Sequence, residues 1–324
     1  MAPEPPADVA TRKRLLRDLL LAVAVFAIIF GGLLGYTRSW PPMATVASGS
    51  MAHAEDASAI GVLDPGDLVL VQAAAARSDV VTYLEGRASG YRTYGDFGDV
   101  LLFEAPGEPA GSVYVHRAMA FVTWNATARG YDAPDLARLP ASEWTAWDAG
   151  GNVTASPSGL SRFLVHHAGW RQDLDIAFNL TAGERSLAVG VGMSGFLTMG
   201  DHNAYATLTR VDRWVAPPGN VLGVARGEIP WFGLLHLTLA PDPDGCCAGW
   251  GSTDPVRGAP ANSWAALDAA LILLVALPVG WVGSGMYLDR HPQVRQMIQE
   301  ILGRLRFWKR SPGEETGGPS HEHR

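Results

Sequence analysis

The stretch Asp99–Arg117 reads DVLLFEAPGEPAGSVYVHR. Two apolar runs, DVLLF over 99–103 and SVYVH over 112–116, lie either side of a loop punctuated by Pro106, Gly107, Pro109 and Gly111. β-Branched and aromatic residues in short runs fit a pleated, half-buried strand, and glycine and proline mark its ends. Working outward, DLVLV at 67–71, VVTY at 80–83 and VLGV at 221–224 repeat the texture. No 3.6-residue apolar period persists between 38 and 263, apart from short candidate helices near Pro134–Leu139 and Ser142–Trp147. The expectation is a mainly β region. Residues 125–190 differ in texture, with several tryptophans and the pair His166–His167, and read as an inserted lobe.

Two uncharged runs flank this region. Residues 19–37 would span about 28 Å as a helix, and residues 269–288 about 30 Å, each close to a bilayer core. Pro278 and three glycines weaken the second run, but membrane helices tolerate them. Arg12, Lys13, Arg14 and Arg17 precede the first run, and Arg290, Arg295, Arg304, Arg306, Lys309 and Arg310 follow the second. Both flanks therefore read as cytoplasmic, with the middle outside. The sequons at Asn125, Asn152 and Asn179 all fall in that middle. Val294–Trp308 reads as a basic amphipathic stretch on the anionic inner surface. Ser311–Arg324 reads as a disordered tail.

Composition narrows the chemistry. The chain has 324 residues, a formal net charge of −7 and 48% hydrophobic residues. The middle carries 14 arginines and 23 acids, a net charge of −9, which argues against a nucleic-acid partner. Only Lys13 and Lys309 are lysines, so no lysine base or Schiff base is available between them. Cys246 and Cys247 are the only cysteines, which excludes a disulfide-built scaffold or a four-cysteine zinc site. Adjacent cysteines bridge one another only through a small ring, and a structural or accessory role is expected for them.

A serine nucleophile needs a base. Ser50 lies in Ser48-Gly49-Ser50-Met51, about a dozen residues beyond the first apolar run. With lysine excluded, the base must be histidine or a carboxylate. The histidines of the middle are His53, His116, His166, His167, His202 and His236. His116 ends an alternating strand, which fixes its direction. An acid commonly orients such a histidine, and Asp201 follows a strand-like run in FLTMGDHN at 196–203. Taken singly, each has a bland reading: a loop serine, a structural histidine, a turn aspartate. A metal site from His166, His167 and His202 lacks a supporting carboxylate or cysteine spacing.

Taken in order, SGSM at 48–51, GDLVLV at 66–71, VHR at 115–117, GDHN at 200–203 and VLGVARGEIPWFG at 221–233 resemble type I signal peptidases. The similarity is to the archaeal and endoplasmic-reticulum branch, which uses Ser–His–Asp where the bacterial branch uses Ser–Lys. The resemblance covers about 120 residues behind a membrane helix. It implies a membrane-anchored, β-rich peptidase domain that cleaves signal peptides from exported preproteins after small residues. It implies Ser50 as nucleophile, His116 as general base and then acid, and Asp201 as the group orienting His116. The Ser50 backbone N–H, with the Ser48 hydroxyl, would line the oxyanion hole. No cofactor and no metal is implied; preproteins, the lipid bilayer and accessory subunits or the secretion translocon are the implied partners. The expected location is the cytoplasmic membrane, or the endoplasmic-reticulum membrane in a eukaryote.

The sequence departs from the pattern in places. Ala52-His53 stands where most relatives have Glu-Pro, and Thr207 stands where a second aspartate is common. Asp212 is the nearest later acid and the candidate for that role. The separation of His116 from Asp201 is unusually long. A non-catalytic, membrane-tethered β-domain that binds exported proteins or a partner subunit is the alternative. The expected organisation is a cytoplasmic N-terminus (1–17), a membrane helix (18–37), a first part of the core (38–124), the lobe (125–190) and a second part of the core (191–240). A linker (241–263), a second membrane helix (264–288) and a basic cytoplasmic tail (289–324) follow.

Overall fold

A computed structural model describes residues 7–181, 192–206, 211–241, 245–254 and 257–308. Thr207, Lys309 and the tail 311–324 lie outside the described residues. The chain divides into two compact units, residues 1–267 and 268–324.

The first unit opens with helix α1 (Ala7–Thr37). Strands β1 (Met43–Thr45) and β2 (Leu68–Gln72) follow, then helix α2 (Tyr83–Ser89). The short pair β3 (Arg92–Thr93) and β4 (Asp96–Phe97) forms its own two-stranded sheet. Next come β5 (Val100–Glu104), the long β6 (Val113–Asn125), β7 (Gly130–Asp132), β8 (Trp144–Asp148) and β9 (Val153–Thr154). The series ends with β10 (Leu160–Ala168), β11 (Leu174–Asn179), β12 (Gly195–Met199), helix α3 (Asn203–Ala206), β13 (Val221–Ile229) and helix α4 (Gly233–Leu239). Helix α5 (Ala261–Arg290) starts in this unit and continues into the second, where α6 (Pro292–Trp308) follows.

The architecture is mainly β. One antiparallel sheet of 11 strands runs β1-β2-β13-β5-β6-β7-β10-β8-β9, with β11 on β10 and β12 on β6. The opening stretch accounts for its centre. DVLLF becomes β5, buried from Val100 to Phe103, and pairs with the start of β6 in the register Leu101 to His116 and Val100 to Arg117. β6 then runs well past the expected strand. Its middle pairs with β12 and its end with β7, so one strand carries the sheet from the first part of the core into residues 125–180. The lobe is a continuation of the same sheet, packed on Phe163, Phe178, Ile176 and Tyr131.

Three local expectations change. VVTY is not a strand: Thr82 caps α2, accepting from Glu85 N (3.3 Å) while Glu85 accepts from Thr82 N (3.0 Å). That reciprocal pair satisfies two donors at the helix start and outweighs the β-propensity of Val80 and Val81. Pro134–Arg138 is a 3-10 turn rather than a helix, and the stretch 142–147 becomes mostly β8.

Two helices are long and apolar enough to cross a membrane, Leu15–Thr37 within α1 and Ala261–Arg290. The last residue of α1, Thr37, is fully buried, and its carbonyl accepts from Ala73 N (2.8 Å) just past β2. The C-terminus of α1 is thereby tied to the sheet edge that leads to the site.

Candidate active site

Ser50 lies in a single 3-10 turn, Gly49–Met51. The turn is held at both ends. Met51 is 1% exposed and packs with Leu63, Val69, Val100 and Leu102. The Ser50 carbonyl accepts from His202 N (2.9 Å). Ser48 Oγ donates to Ser50 Oγ at 3.3 Å. Cys246 N donates to the Ala47 carbonyl (2.7 Å), which braces the segment leading into the turn; Cys246 and Cys247 are joined by a disulfide.

Gly200 brings the other half of the site close. A Cβ there would lie 2.5 Å from the Ser50 carbonyl oxygen and 3.1 Å from His116 Nε2. His116 Nε2 and the backbone of the Ser50 turn therefore meet across the same glycine, and any side chain at 200 would push them apart.

His116 and Arg117 are successive on β6, so their side chains leave opposite faces. His116 is 5% exposed, and its Nδ1 meets Asp212 Oδ2 at 2.7 Å. Asp212 Oδ2 also accepts from Thr198 Oγ1 (2.6 Å), and Thr198 Oγ1 accepts from Trp214 Nε1 (3.3 Å). Donation by Nδ1 to the carboxylate fixes the tautomer that leaves Nε2 as a lone-pair acceptor. Burial alone would lower the imidazole pKa, but the charge and hydrogen bond of Asp212, with the more distant charge of Asp201, raise it above 6.5.

Arg117 is fully buried on the other face. Its Nε and Nη2 donate to the two oxygens of Asp201 at 2.8 and 2.6 Å, a bidentate pair. Nη1 donates to the carbonyls of Thr93, Phe97 and Gly98 at 3.0 to 3.1 Å, so the β3–β4 turn cups the guanidinium. His53 Nε2 donates to Asp201 Oδ2 at 3.0 Å. Burial would raise the Asp201 pKa, but Arg117 and then His53 hold it below the usual carboxylate range.

The structure thus redistributes the two acids. Asp201, expected to orient His116, instead neutralises Arg117 and holds His53. Asp212, the candidate second acid, stands on His116 Nδ1. The physical reason is the alternation of β6: Asp201 reaches the Arg117 face, whereas Asp212, whose N–H donates to Thr198 O (3.0 Å), reaches the His116 face.

Some partners carry little local signal in the sequence. Arg117 is part of VHR at 115–117, but nothing in that motif marks it as the charge that captures Asp201. The His53 ring stacks on Trp170 of the lobe with centroids 4.5 Å apart. The lobe therefore reaches the site. His166 does not: its Nε2 meets Thr145 Oγ1 (3.0 Å) and its Nδ1 meets Asp175 (3.2 Å). Among the described residues, no three His, Cys, Asp or Glu side chains converge to hold a metal.

Beside the turn lies a cleft of about 580 Å³ walled by Ser48, Gly49, Ala52, Ala54 and Ala261, with Glu55 and Asp56 on its rim. No protein-family model matches the chain, and no curated protein matches it.

Proposed function

We propose that the chain is a membrane-anchored serine endopeptidase that removes N-terminal signal peptides from exported preproteins. The observation that carries this reading is the His116–Asp212 pair, with Nε2 directed at the glycine that adjoins the Ser50 turn. On this reading α1 and α5 cross the membrane with both termini inside, following the positive charges of the flanks. The middle of the chain then stands outside, where preproteins emerge.

In the reaction, Ser50 Oγ attacks the scissile carbonyl while His116 Nε2 takes its proton. Asp212 keeps Nδ1–H in place and stabilises the imidazolium. The oxyanion of the tetrahedral intermediate accepts from the Ser50 N–H and the Ser48 hydroxyl, each such donor worth about 3 kcal/mol. His116 then gives the proton to the leaving amine, and a water releases the acyl chain from Ser50 by the reverse sequence. Asp201 acts at one remove, holding Arg117 and the loop that carries Gly200.

The test is cleavage of a preprotein with an Ala-x-Ala site by the purified full chain in liposomes. Wild type should cleave, and Ser50→Ala and His116→Ala should each be inactive with unchanged circular dichroism. Cleavage by Ser50→Ala at the wild-type rate would end the proposal.

One observation favours a second reading, a non-catalytic β-domain that binds exported chains: the Ser50 hydroxyl is bonded to Ser48. A serine-directed lactam separates the two. Covalent capture at Ser50 supports the peptidase; a folded chain that resists capture supports the binder.

A further inference from the structure

The cleft beside Ser50 has a neighbour. A second cavity of about 290 Å³ is lined by His53, Glu55, Trp170, Arg171, His202 and Tyr205. The two share Ala54, Glu55 and His202. His202 is the residue whose N–H holds the Ser50 carbonyl. The Ser50 turn therefore adjoins one residue that the two cavities share, while Ser50 itself lines neither, and a chain lying across the shared residues would occupy both.

The two ends differ in what they connect to. The larger cleft is walled by Pro260 and Ala261, eight residues before the apolar run that begins at 269. Ala261 is the first residue of α5, so at about 1.5 Å per residue the wall stands about 12 Å along the helix from that run. A signal peptide, whose apolar part is lipid-bound, belongs on that side. The smaller cavity is built by the lobe, and there the chain beyond the cut would lie.

They also differ in charge. Glu55 lines both; the larger cleft adds Asp56 and Asp254, whereas the smaller adds a cation, Arg171. The Arg171 guanidinium lies over the rings of both Trp170 (4.4 Å) and Tyr205 (4.8 Å). The pose is built. Trp170 is clamped from its side by His53, and Tyr205 OH accepts from Arg171 N (2.9 Å) while donating to Asp173 Oδ1 (3.0 Å). Among the described residues no carboxylate pairs with Arg171, although the side chain is exposed. A guanidinium laid on aromatic rings keeps its edge donors free and loses little further entropy on binding a carboxylate.

We propose that Trp170, Tyr205 and Arg171 form a subsite that recognises an acidic side chain in the first few residues after the cut. The proposal rests on the peptidase reading for what the occupant is. It makes the lobe a specificity element, and Arg171 a specificity-determining residue rather than a catalytic one.

The test uses the full chain in liposomes and preproteins with Glu, Gln or Lys walked one position at a time through the start of the mature segment. Wild type should cleave the Glu substrate about three- to fivefold better by kcat/KM than the Lys substrate at one position, as suits a partly exposed ion pair. Arg171→Gln should abolish that preference, and Arg171→Glu should invert it, with the Gln substrate cleaved at the wild-type rate by all three. The same substrates are titrated calorimetrically against Ser50→Ala, alone and combined with Arg171→Glu. Cleavage whose charge preference ignores Arg171 overturns the subsite and leaves the peptidase intact. No cleavage by wild type, with Glu-selective binding that Arg171→Glu reverses, sustains the subsite and overturns the peptidase reading. Neither selectivity overturns the subsite whatever the activity.

Discussion

His116 and Arg117 are neighbours on β6, yet each is matched to a different aspartate from the segment that follows β12. On one face, Asp201 makes two charge-assisted bonds to a guanidinium that is wholly buried and further held by backbone carbonyls. On the other, Asp212 makes one bond to an imidazole whose second nitrogen lies beside Gly200, the glycine packed against the Ser50 carbonyl. The first is a closed arrangement, with its charges spent on each other. The second is open, because Nε2 keeps its lone pair for a proton. The difference teaches that proximity of an acid to the motif does not give it the motif's chemistry; the face of the strand it reaches does.

The comparison predicts that the Arg117 face governs stability. Asp201→Leu or Arg117→Met should each cost about 3–5 kcal/mol in denaturant unfolding, since each leaves a buried charge uncompensated. The double variant Arg117→Met/Asp201→Leu should lose less than the sum of the two. Strict additivity would mean that the pair is not coupled as described.

The His116 face should instead govern pH dependence. Because the His116 pKa is raised above 6.5, its neutral, base-competent form appears only at higher pH. The ascending limb of kcat/KM should therefore lie above 6.5, and Asp212→Asn should move the remaining activity's limb to lower pH. The same shift has a stability consequence of definite sign. The charged imidazole is favoured in the folded state, so its contribution is complete below 6.5 and is lost as pH rises through the folded value. An ascending limb that Asp212→Asn leaves in place would break the assignment of Asp212 to His116.

A smaller effect lies away from both faces. Asp64 is buried, its Oδ1 has no hydrogen-bond partner, and burial raises its pKa to about 6. Its ionised form is the disfavoured one, so the fold loses stability as pH rises from about 4 to 6. Asp64→Asn should flatten that loss and raise stability at pH 8 by up to about 2 kcal/mol, read by thermal unfolding at both pH values. A steeper loss in the variant would contradict the assignment.

Much of the sheet was legible because its strands are short, β-branched and separated by glycine and proline, as in β5, the start of β6 and the start of β13. VVTY was misread because Thr82-x-x-Glu85 carries a capping signal that strand propensity masks. The length of β6 was not legible, since Ala118–Asn125 alternates too weakly to show where pairing passes from β5 to β12. At the candidate site, Ser50 and His116 stand out in the sequence through short motifs. The division between Asp201 and Asp212 does not, because it depends on which face of β6 each acid reaches. Trp170 could not be read at all: its partner His53 is more than a hundred residues away, and ring stacking leaves no local pattern.

The most direct measurement is preprotein cleavage per folded molecule by wild type, Asp212→Asn and Asp201→Asn, each normalised to its folded fraction at one pH. Asp212→Asn should lose about a thousandfold in kcat, as removal of an orienting carboxylate does, while Asp201→Asn should keep a kcat per folded molecule within about tenfold of wild type. Full activity in Asp212→Asn, or a thousandfold loss confined to Asp201→Asn, would contradict the pairing of His116 with Asp212 on which the proposed mechanism stands.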